Sequence, residues 1–258
     1  MDPRTPAPRP GKVWLVGAGP GDPELLTLKA ARLISLADAI VYDHLVGDGI
    51  LALARPGAEI IYAGKEASRH TLPQAQINAM LAALAKRHTT VVRLKGGDPF
   101  IFGRGGEEIE ALSAEGIPFG IVPGITAASG CAAGAGFPLT HRDHARMLTL
   151  ATGHLQNGGV ELDWPALARP RQTVVFYMGV AAAGEISRQL IAHGLPADTP
   201  VAVVRQGTLG NQAALFSRLD EFPSRLHEAN ITPPALIVVG DVVRLRRDEI
   251  GYQPPGKH

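Results

Sequence analysis

Two glycine-rich stretches could hold a compact ligand close to the backbone. The first, residues 17–23, reads Gly-Ala-Gly-Pro-Gly-Asp-Pro and lies between an apolar stretch and a helical pattern. A dinucleotide-binding turn would place its third glycine where Asp22 stands. An acidic side chain there repels a pyrophosphate and instead caps the helix that follows. The turn therefore disfavours nucleotide phosphates, although its glycines permit close approach of a small ligand; a plain turn is the alternative.

The second stretch, residues 93–108, again runs from an apolar segment through glycines into a helical pattern. Gly96 and Gly97 leave backbone groups unobstructed, and the motif lacks the Gly-Lys-Ser/Thr of a phosphate-binding loop. Residues 100–102, Phe-Ile-Phe, are either an apolar wall of a ligand site or ordinary core. Glu107 and Glu108 fall in the first turn of the predicted helix, where carboxylates suit the helix dipole. Two such loops in one parallel sheet predict a ligand crevice at its carboxyl edge.

The elements that must position these loops alternate between strand and helix, which predicts α/β structure with a mostly parallel sheet, followed by a second α/β unit. Short apolar stretches predict strands at 13–16, 39–42, 60–62, 90–94, 119–122, 148–151, 174–178, 201–204 and 236–239. Helical spacing predicts helices at 25–36, 50–54, 74–86, 107–115, 181–193 and 219–228. The uncharged stretch 116–140 contains several Pro and Gly residues, so we expect a buried strand, a tight loop and a small-residue helix there rather than a membrane span.

These elements predict two domains. We expect a disordered leader over 1–11, an N-terminal α/β domain over 12–122, a C-terminal α/β domain over 123–246 and a tail over 247–258. A cleft between two such domains is the default ligand site.

Composition excludes several classes of protein. Charged residues make up 19% of the 258 residues and hydrophobic residues 45%, with 30 Gly and 21 Pro spread along the chain, which excludes a disordered chain, a coiled coil and collagen. The net charge of +1 provides no global field for nucleic acid, so we expect no nucleic-acid partner, and no segment predicts a membrane partner. The single cysteine, Cys131, suits a reducing, cytoplasmic location. Because His141, His144 and His154 lack further ligands nearby in sequence, we expect no metal site.

Six motifs occur in an order that closely resembles the tetrapyrrole methylases, and within them the uroporphyrinogen-III C-methyltransferases. The motifs are 17–23, 42–46, 93–108, 122–127, 176–179 and the stretch from 207 onward. The resemblance implies two α/β domains with the active site in the cleft between them, and a homodimer. It implies S-adenosylmethionine as methyl donor, with S-adenosylhomocysteine as product. The implied reaction methylates uroporphyrinogen III at C2 and C7, giving precorrin-2 through precorrin-1, an intermediate that serves both sirohaem and cobalamin biosynthesis.

The same resemblance implies roles for individual residues. Asp43 matches the family's proton acceptor and Lys65 its proton donor; the alternatives are that Asp43 caps a turn and Lys65 is solvated. The residues placed around the cofactor are Pro20, Gly96, Gly97, Asp98, Ile101, Thr126, Ala127, Met178 and Gly207.

The implied substrate carries eight carboxylates, so cationic side chains must converge on it. Arg104, which we also place in the catalytic set, and Arg142 are the main candidates, and Lys65, Arg93 and Lys95 are further ones. Glu107 could orient one of the arginines. A local ion pair between Arg104 and Glu107 is the alternative.

Three other functions compete with this interpretation. Another tetrapyrrole methylase, such as a later precorrin methylase, is the nearest, and the motif at 102–108 favours the uroporphyrinogen enzymes over it. A nicotinamide-dependent oxidoreductase is disfavoured by Asp22. A pure binding module would explain neither Asp43 with Lys65 nor the repeated glycine loops.

Overall fold

The computed structural model describes residues 10–64, 72–154 and 160–247. Its internal contacts divide the chain into two units, Met1–Thr126 and Ala127–His258, whereas the sequence analysis put the boundary after residue 122. The predicted leader and tail lie outside the described residues, except for residues 10, 11 and 247.

The first unit is a parallel sheet with helices on both faces. Its strands are β1 (Lys12–Gly17), β2 (Ala39–Tyr42), β3 (Glu59–Tyr62), β4 (Thr90–Lys95) and β5 (Phe119–Val122), and its helices are α1 (Leu28–Leu36), α2 (Asp48–Leu51), α3 (Gln74–Ala85) and α4 (Gly105–Ala114). The strand order is β3-β2-β4-β1-β5, and every neighbouring pair is parallel. The predicted parallel α/β sheet is thus confirmed, and the carboxyl ends of all five strands lie at one edge.

The central strands of this sheet are apolar on both faces because helices cover both. Val91 belongs to the cluster that contains Leu81 of α3 and Leu112 of α4. Its neighbour Val92 points to the opposite face and belongs to the cluster that contains Ile34 of α1. Each of these side chains is almost fully buried, and burial of one such side chain contributes about 1.5–3 kcal/mol.

The first helix begins later than predicted. Asp22 caps the chain as expected, since its carboxylate accepts from the Glu24 N–H at 2.8 Å, but the segment that it caps is a short 3-10 helix, Pro23–Leu25. A second cap follows, because the Thr27 hydroxyl oxygen accepts from the Ala30 N–H at 3.1 Å. Helix α1 therefore begins at Leu28.

The second unit is built on a mixed sheet. Its strands are β6 (Met147–Thr152), β7 (Gln172–Tyr177), β8 (Pro200–Arg205), β9 (Ala213–Arg218) and β10 (Ala235–Val239), and its helices are α5 (Ala127–Gly134), α6 (Trp164–Leu167), α7 (Ala183–Ala192) and α8 (Phe222–Glu228). Two 3-10 helices, Val180–Ala182 and Asp241–Leu245, complete it. The order is β6-β7-β10-β8-β9, in which β6 and β7 are parallel and the other pairs antiparallel.

Three features of this unit differ from the sequence prediction. Strand β9 and the short helix α6 were not predicted, and the sheet is mostly antiparallel instead of continuing the parallel pattern. The connection from β8 to β9, residues 206–212, is too short for the crossover of a dozen or more residues that a parallel pairing requires. An antiparallel hairpin is the arrangement that such a connection allows.

The uncharged stretch 116–140 has the predicted order of strand, loop and small-residue helix, but its strand lies at the edge of the sheet and only Val122 in it is buried. It contains β5, an irregular loop and the small-residue helix α5. Over the ranges that the structure describes, no helix has the length and apolar character needed to cross a bilayer.

Candidate functional site

The carboxyl edge of the first sheet gathers the glycine loops that the sequence singled out. Strand β1 ends at Gly17 and β4 at Lys95, so the loops that follow them start side by side. A two-way backbone bridge joins these loops: the Gly97 N–H donates to the Gly19 carbonyl at 2.7 Å, and the Gly19 N–H donates to the Gly97 carbonyl at 3.2 Å. The two motifs therefore form one structure.

Three glycines at this edge, Gly17, Gly97 and Gly124, pack backbone against backbone, and we call them the glycine junction. A Cβ atom on Gly17 would lie 2.5 Å from the Gly124 nitrogen and 2.7 Å from the Gly97 carbonyl oxygen. Glycines of the two motifs were expected to let a ligand approach the backbone, but the space beside Gly17 is filled by backbone atoms of Gly124 and Gly97. The Gly97 N–H, one of the backbone groups predicted for the cofactor, is already bonded to Gly19.

Asp98 fastens the loop after β4 to the loop after β5. Its Oδ1 accepts from the Phe100 N–H at 2.8 Å and its Oδ2 accepts from the Gly124 N–H at 3.0 Å. The carboxylate thus holds the glycine junction closed. The contact predicted between Asp98 and the cofactor involves the Asp98 backbone. The side-chain hydrogen bonds described here do not exclude it.

The aromatic residues of the second motif are exposed at the surface and are not core. Phe100 is 53% exposed and Phe102 is 40% exposed, while Ile101 and Pro20 are half-buried. Phe102 also has a φ of 52°, in the left-handed region that bulky residues rarely adopt. Such backbone strain costs about 1–3 kcal/mol and is concentrated at functional sites.

Asp43, the predicted proton acceptor, follows β2 at the same edge. Its Oδ1 accepts from the Leu45 N–H at 3.1 Å, and its Oδ2 accepts from Arg93 Nη2 at 3.3 Å. The turn-capping alternative is therefore present in the structure, but it occupies only one of the two oxygens. The side chain keeps 22% of its surface exposed, so it can be reached from outside.

Behind Asp43 lies a set of charged side chains, Arg93, Lys95 and Glu108, which we call the buried ion cluster. Arg93 Nε donates to Glu108 Oε1 at 3.1 Å and Lys95 Nζ donates to the same oxygen at 2.9 Å. Arg93 and Lys95 are each 4% exposed, and Glu108 is fully buried. Burial lowers the pKa of the Lys95 amine, the Arg93 charge lowers it further, and Glu108 opposes both effects.

The buried ion cluster corrects one prediction and adds one residue. Arg93 and Lys95 were further candidates for binding substrate carboxylates, but both point inward at Glu108 and are hidden from solvent. Glu108 was missed as a site residue. Its only sequence signal was its place in the first turn of the helix that follows the glycine loop.

Arg104 and Glu107 form the exposed ion pair that was the structural alternative for them. Arg104 Nε and Nη2 donate to the two Glu107 oxygens, each at 2.7 Å. The hydrogen bond between them raises the pKa of Arg104 and lowers that of Glu107. The Arg104 side chain remains 58% exposed, so the pair orients its guanidinium group without covering it.

Two of the predicted residues of the second unit, Met178 and Gly207, lie at one edge of its sheet. Strands β7 and β8 both run antiparallel to β10, so their carboxyl ends are at the same side, followed by Met178 and Gly207 respectively. Met178 is 53% exposed, and its backbone lies in the left-handed region with a φ of 55°. A Cβ atom on Gly207 would lie 2.4 Å from Cys131 Sγ, so this glycine allows its loop to pack on α5. Gln206 and Thr208, which flank Gly207, also have positive φ.

The remaining predicted residues are dispersed. Thr126 and Ala127 are half-buried at the start of α5. Arg142 is exposed, and its carbonyl oxygen accepts from Arg146 Nε at 3.0 Å and from Arg171 Nη2 at 3.2 Å. Lys65, the predicted proton donor, lies outside the described residues.

The histidines at 141 and 144 do not build a metal centre with the other described residues. Their ring centroids are 5.0 Å apart, and His141 Nδ1 lies 4.0 Å from Asp143 Oδ2. Within 10–64, 72–154 and 160–247, no three His, Cys, Asp or Glu side chains come together as ligands.

A cavity of about 290 Å³ lies in the second unit and contains none of the predicted site residues. It is lined by the start of α7 and by α8, including Ala183, Leu226 and His227. We assign it no role, because the chemistry-bearing residues are at the strand ends.

The chain is similar to known proteins over most of its length. Residues 12–223 match the sequence profile of the Tetrapyrrole (Corrin/Porphyrin) Methylases. A siroheme synthase of Nitrosospira multiformis is 55% identical over 256 residues, which are 99% of this chain and 54% of the relative. A siroheme synthase of Nitrosomonas eutropha is 58% identical over 237 residues, 92% of this chain and 50% of the relative. The chain thus spans about half the length of these curated relatives.

Solved structures extend the likeness to the fold. A uroporphyrin-III C-methyl transferase from Thermus thermophilus, complexed with S-adenosyl homocysteine, has a TM-score of 0.80 and 39% identity, covering 95% of this chain and 98% of that one. A cobalt precorrin-4 methyltransferase has a TM-score of 0.79 and 28% identity, covering 90% and 95%. The chain therefore belongs to the tetrapyrrole (corrin/porphyrin) methylase family, as its ordered motifs predicted.

Proposed function

We propose that the chain is an S-adenosylmethionine-dependent C-methyltransferase that methylates uroporphyrinogen III at C2 and C7, giving precorrin-2 through precorrin-1. The observation that carries this proposal is the likeness to a solved uroporphyrin-III C-methyl transferase over nearly the whole length of that protein. The siroheme synthases to which the chain is similar support a product that is used for sirohaem.

The residues at the two sheet edges suit S-adenosylmethionine. When bound, this cofactor supplies an activated methyl group. Half-buried backbone and small apolar side chains offer it a close surface, as such sites usually do. The residues that would hold it are Pro20, Gly96, Gly97, the backbone of Asp98, Ile101, Thr126, Ala127, Met178 and Gly207, where Gly97 offers surface contact because its N–H is bonded to Gly19. The glycine junction supports this fit, since it fixes the loops that carry the first five of these residues.

The chain's own chemical task is to align the reactants and to remove a proton. Alignment alone can supply about 7–11 kcal/mol of the barrier. After each methyl group reaches a pyrrole carbon, the macrocycle must lose a proton, and Asp43 is the base that we assign to this step. Its carboxylate is partly exposed at the loop edge and held by Arg93 and the Leu45 N–H, so it is positioned before substrate arrives. Lys65 stays in the proposal as the proton donor.

The substrate's carboxylates require cations on the surface. Arg104 has an exposed guanidinium group that Glu107 orients, and Phe100 and Phe102 offer exposed apolar surface nearby for the macrocycle. Arg142 is a second exposed cation. The proposal includes a second copy of the chain as partner in a homodimer, which sedimentation equilibrium measures directly.

The deciding experiment incubates the purified protein anaerobically with S-adenosylmethionine and freshly generated uroporphyrinogen III. Mass analysis of the tetrapyrrole and assay of S-adenosylhomocysteine follow. Two methyl additions, with two equivalents of S-adenosylhomocysteine, are expected. The variant Asp43→Asn should retain cofactor binding and keep only a small residual turnover, because its amide cannot accept the proton.

Two other outcomes would overturn parts of the proposal. If the cofactor binds but uroporphyrinogen III stays unmethylated where a known enzyme succeeds, the substrate assignment is wrong. A later precorrin methylase then becomes the leading candidate, which the likeness to a cobalt precorrin-4 methyltransferase favours. If the cofactor does not bind, the assignment of the glycine loops is wrong.

A further inference from the structure

We propose that Arg93 is a positioning residue that aims the carboxylate of Asp43, and that Glu108 and Lys95 hold Arg93 in place from behind. The inference deepens the proposed function and rests on it only for the role of Asp43 as base. The arrangement of these side chains is given by the contacts of the buried ion cluster and does not depend on the proposed function.

The sheet brings these side chains to one face. Arg93 lies in register with Val41, and Asp43 is two residues beyond Val41. Because side chains alternate between the faces of a strand, Arg93, Lys95 and Asp43 all point to the face that packs against α3 and α4. Glu108 descends onto this face from the first turn of α4.

Arg93 uses all three nitrogens of its guanidinium group. Nη2 donates to Asp43 Oδ2 at 3.3 Å, Nε donates to Glu108 Oε1 at 3.1 Å, and Nη1 donates to the Leu94 carbonyl at 3.1 Å. The group is planar and its donors have fixed directions, so three contacts leave it no freedom to turn. The Arg93 donor that Asp43 contacts is therefore fixed in position by the protein interior.

Glu108 acts as the anchor of the set. Its Oε1 accepts from Arg93, from Lys95 and, at 3.3 Å, from Gln74 Nε2, while its Oε2 has no hydrogen-bond partner among the described residues. Two buried cations share one buried carboxylate, and Asp43 supplies the second negative charge. The balance of positive and negative charge in this group therefore depends on Asp43, the member that is partly exposed at the surface.

A kinetic cycle separates positioning from general structural support. We expect Arg93→Gln to lower kcat by about tenfold or more and to leave the KM for S-adenosylmethionine within about threefold. In an Asp43→Asn background the same substitution should cost little more, because Arg93 acts through Asp43. Arg93→Lys, which keeps the charge but not the planar fork, should recover part of kcat. If the two substitutions lower kcat by independent factors that multiply in the double variant, the proposal is wrong.

A spectroscopic measurement tests the arrangement without relying on activity. In protein labelled with ¹³C at aspartate carboxyl groups, the Asp43 signal, identified by its loss in Asp43→Asn, should move in Arg93→Gln and in Arg93→Lys. The control is Arg55→Gln, which removes a comparable contact from Asp38 at the opposite end of β2. It should move the Asp38 signal and leave that of Asp43 in place.

The outcomes are distinguishable from those of the proposed function. An Asp43 signal that stays in place in folded Arg93→Gln overturns the positioning role, whatever the activity. Should Arg93→Gln fail to fold, Arg93→Lys retains the buried charge and carries the same test. A wild-type protein that leaves uroporphyrinogen III unmethylated defeats the proposed substrate, while the shift of the Asp43 signal still decides this inference.

Discussion

The carbonyl oxygen of Gly97 lies 2.2 Å from the point where a side chain on Gly124 would place its Cβ atom. Backbone atoms cannot move aside as a flexible side chain can, so Gly124→Ala must separate the loops after β4 and β5. We expect a loss of about 1–3 kcal/mol in the free energy of unfolding of the first unit, as for other overpacked sites. Denaturation in urea in a Trp164→Phe background, where Trp14 on β1 is the single tryptophan, measures it by fluorescence.

A matched control lies in the same motif. Gly106, in the first turn of α4, has no atom within 4 Å of the position that an added methyl group would take, and its φ is not positive. Gly106→Ala should leave the free energy of unfolding unchanged or raise it by about 0.5–1 kcal/mol, because alanine favours the helix. Equal losses in the two variants would contradict the packing explanation.

Arg104→Ala should weaken use of the tetrapyrrole far more than binding of the cofactor. The guanidinium group is exposed, and a charged hydrogen bond of about 1.5–3 kcal/mol corresponds to at least about a tenfold rise in KM for the tetrapyrrole. The ion pair with Glu107 contributes little to folding at the surface, so the melting temperature should barely change. Steady-state kinetics and calorimetric titration with S-adenosylmethionine measure the two effects. Equal losses in both would contradict the assignment.

The first unit should lose stability in acid through Asp38. Hydrogen bonds from the backbone N–H groups of Thr90 and Thr89, together with Arg55, hold the pKa of Asp38 below its usual value, although burial opposes them. The unfolded chain therefore binds this proton more readily than the folded one. The stabilisation is present above the unfolded pKa of about 4 and is lost as the pH falls through the lower folded pKa.

Asp38→Asn tests this linkage. The variant should have a lower free energy of unfolding at pH 7, and the difference from wild type should shrink as the pH falls below about 4. Urea denaturation at a series of pH values measures the difference. A gap between variant and wild type that stays constant down to about pH 2, below the usual carboxyl range, would show that the Asp38 charge is not the cause.

Cys131 should be inert in the folded protein. Burial raises the pKa of its thiol to about 12, so at pH 7 only about one molecule in 10⁵ carries the reactive thiolate. A thiol reagent such as iodoacetamide should therefore label the chain only when the second unit opens, and the labelling rate should rise with urea. Because Cys131 is the single cysteine of the sequence, mass spectrometry of the whole chain measures this without ambiguity. Rapid labelling in buffer alone would contradict it.

Features that depend on near neighbours along the chain were predictable from the sequence. The alternation of strands and helices in the first unit, the cap at Asp22 and the small-residue helix α5 all follow from side-chain periodicity and local hydrogen bonds. The family, too, could be identified from the sequence, because the order of its motifs can be seen along the chain without knowledge of the fold.

In the second unit, the local sequence pattern does not determine whether neighbouring strands pair in parallel or antiparallel. Apolar stretches at β7, β8 and β10 predict buried strands equally well in parallel and antiparallel pairings. The direction of β10 depends on how its residues pair with β7 and β8, which lie far away in sequence.

The charged residues of the second motif show the same limit at the site itself. Arg93, Lys95, Arg104, Glu107 and Glu108 are of similar types within one short segment, and their order along the chain indicates only that they stand near a ligand loop. Strand alternation and the descent of α4 turn Arg93 and Lys95 inward onto Glu108, while Arg104 and Glu107 remain in solvent. Which of these charges are buried is therefore a property of the folded chain, because desolvation and pairing depend on what covers a side chain and not on its neighbours in sequence.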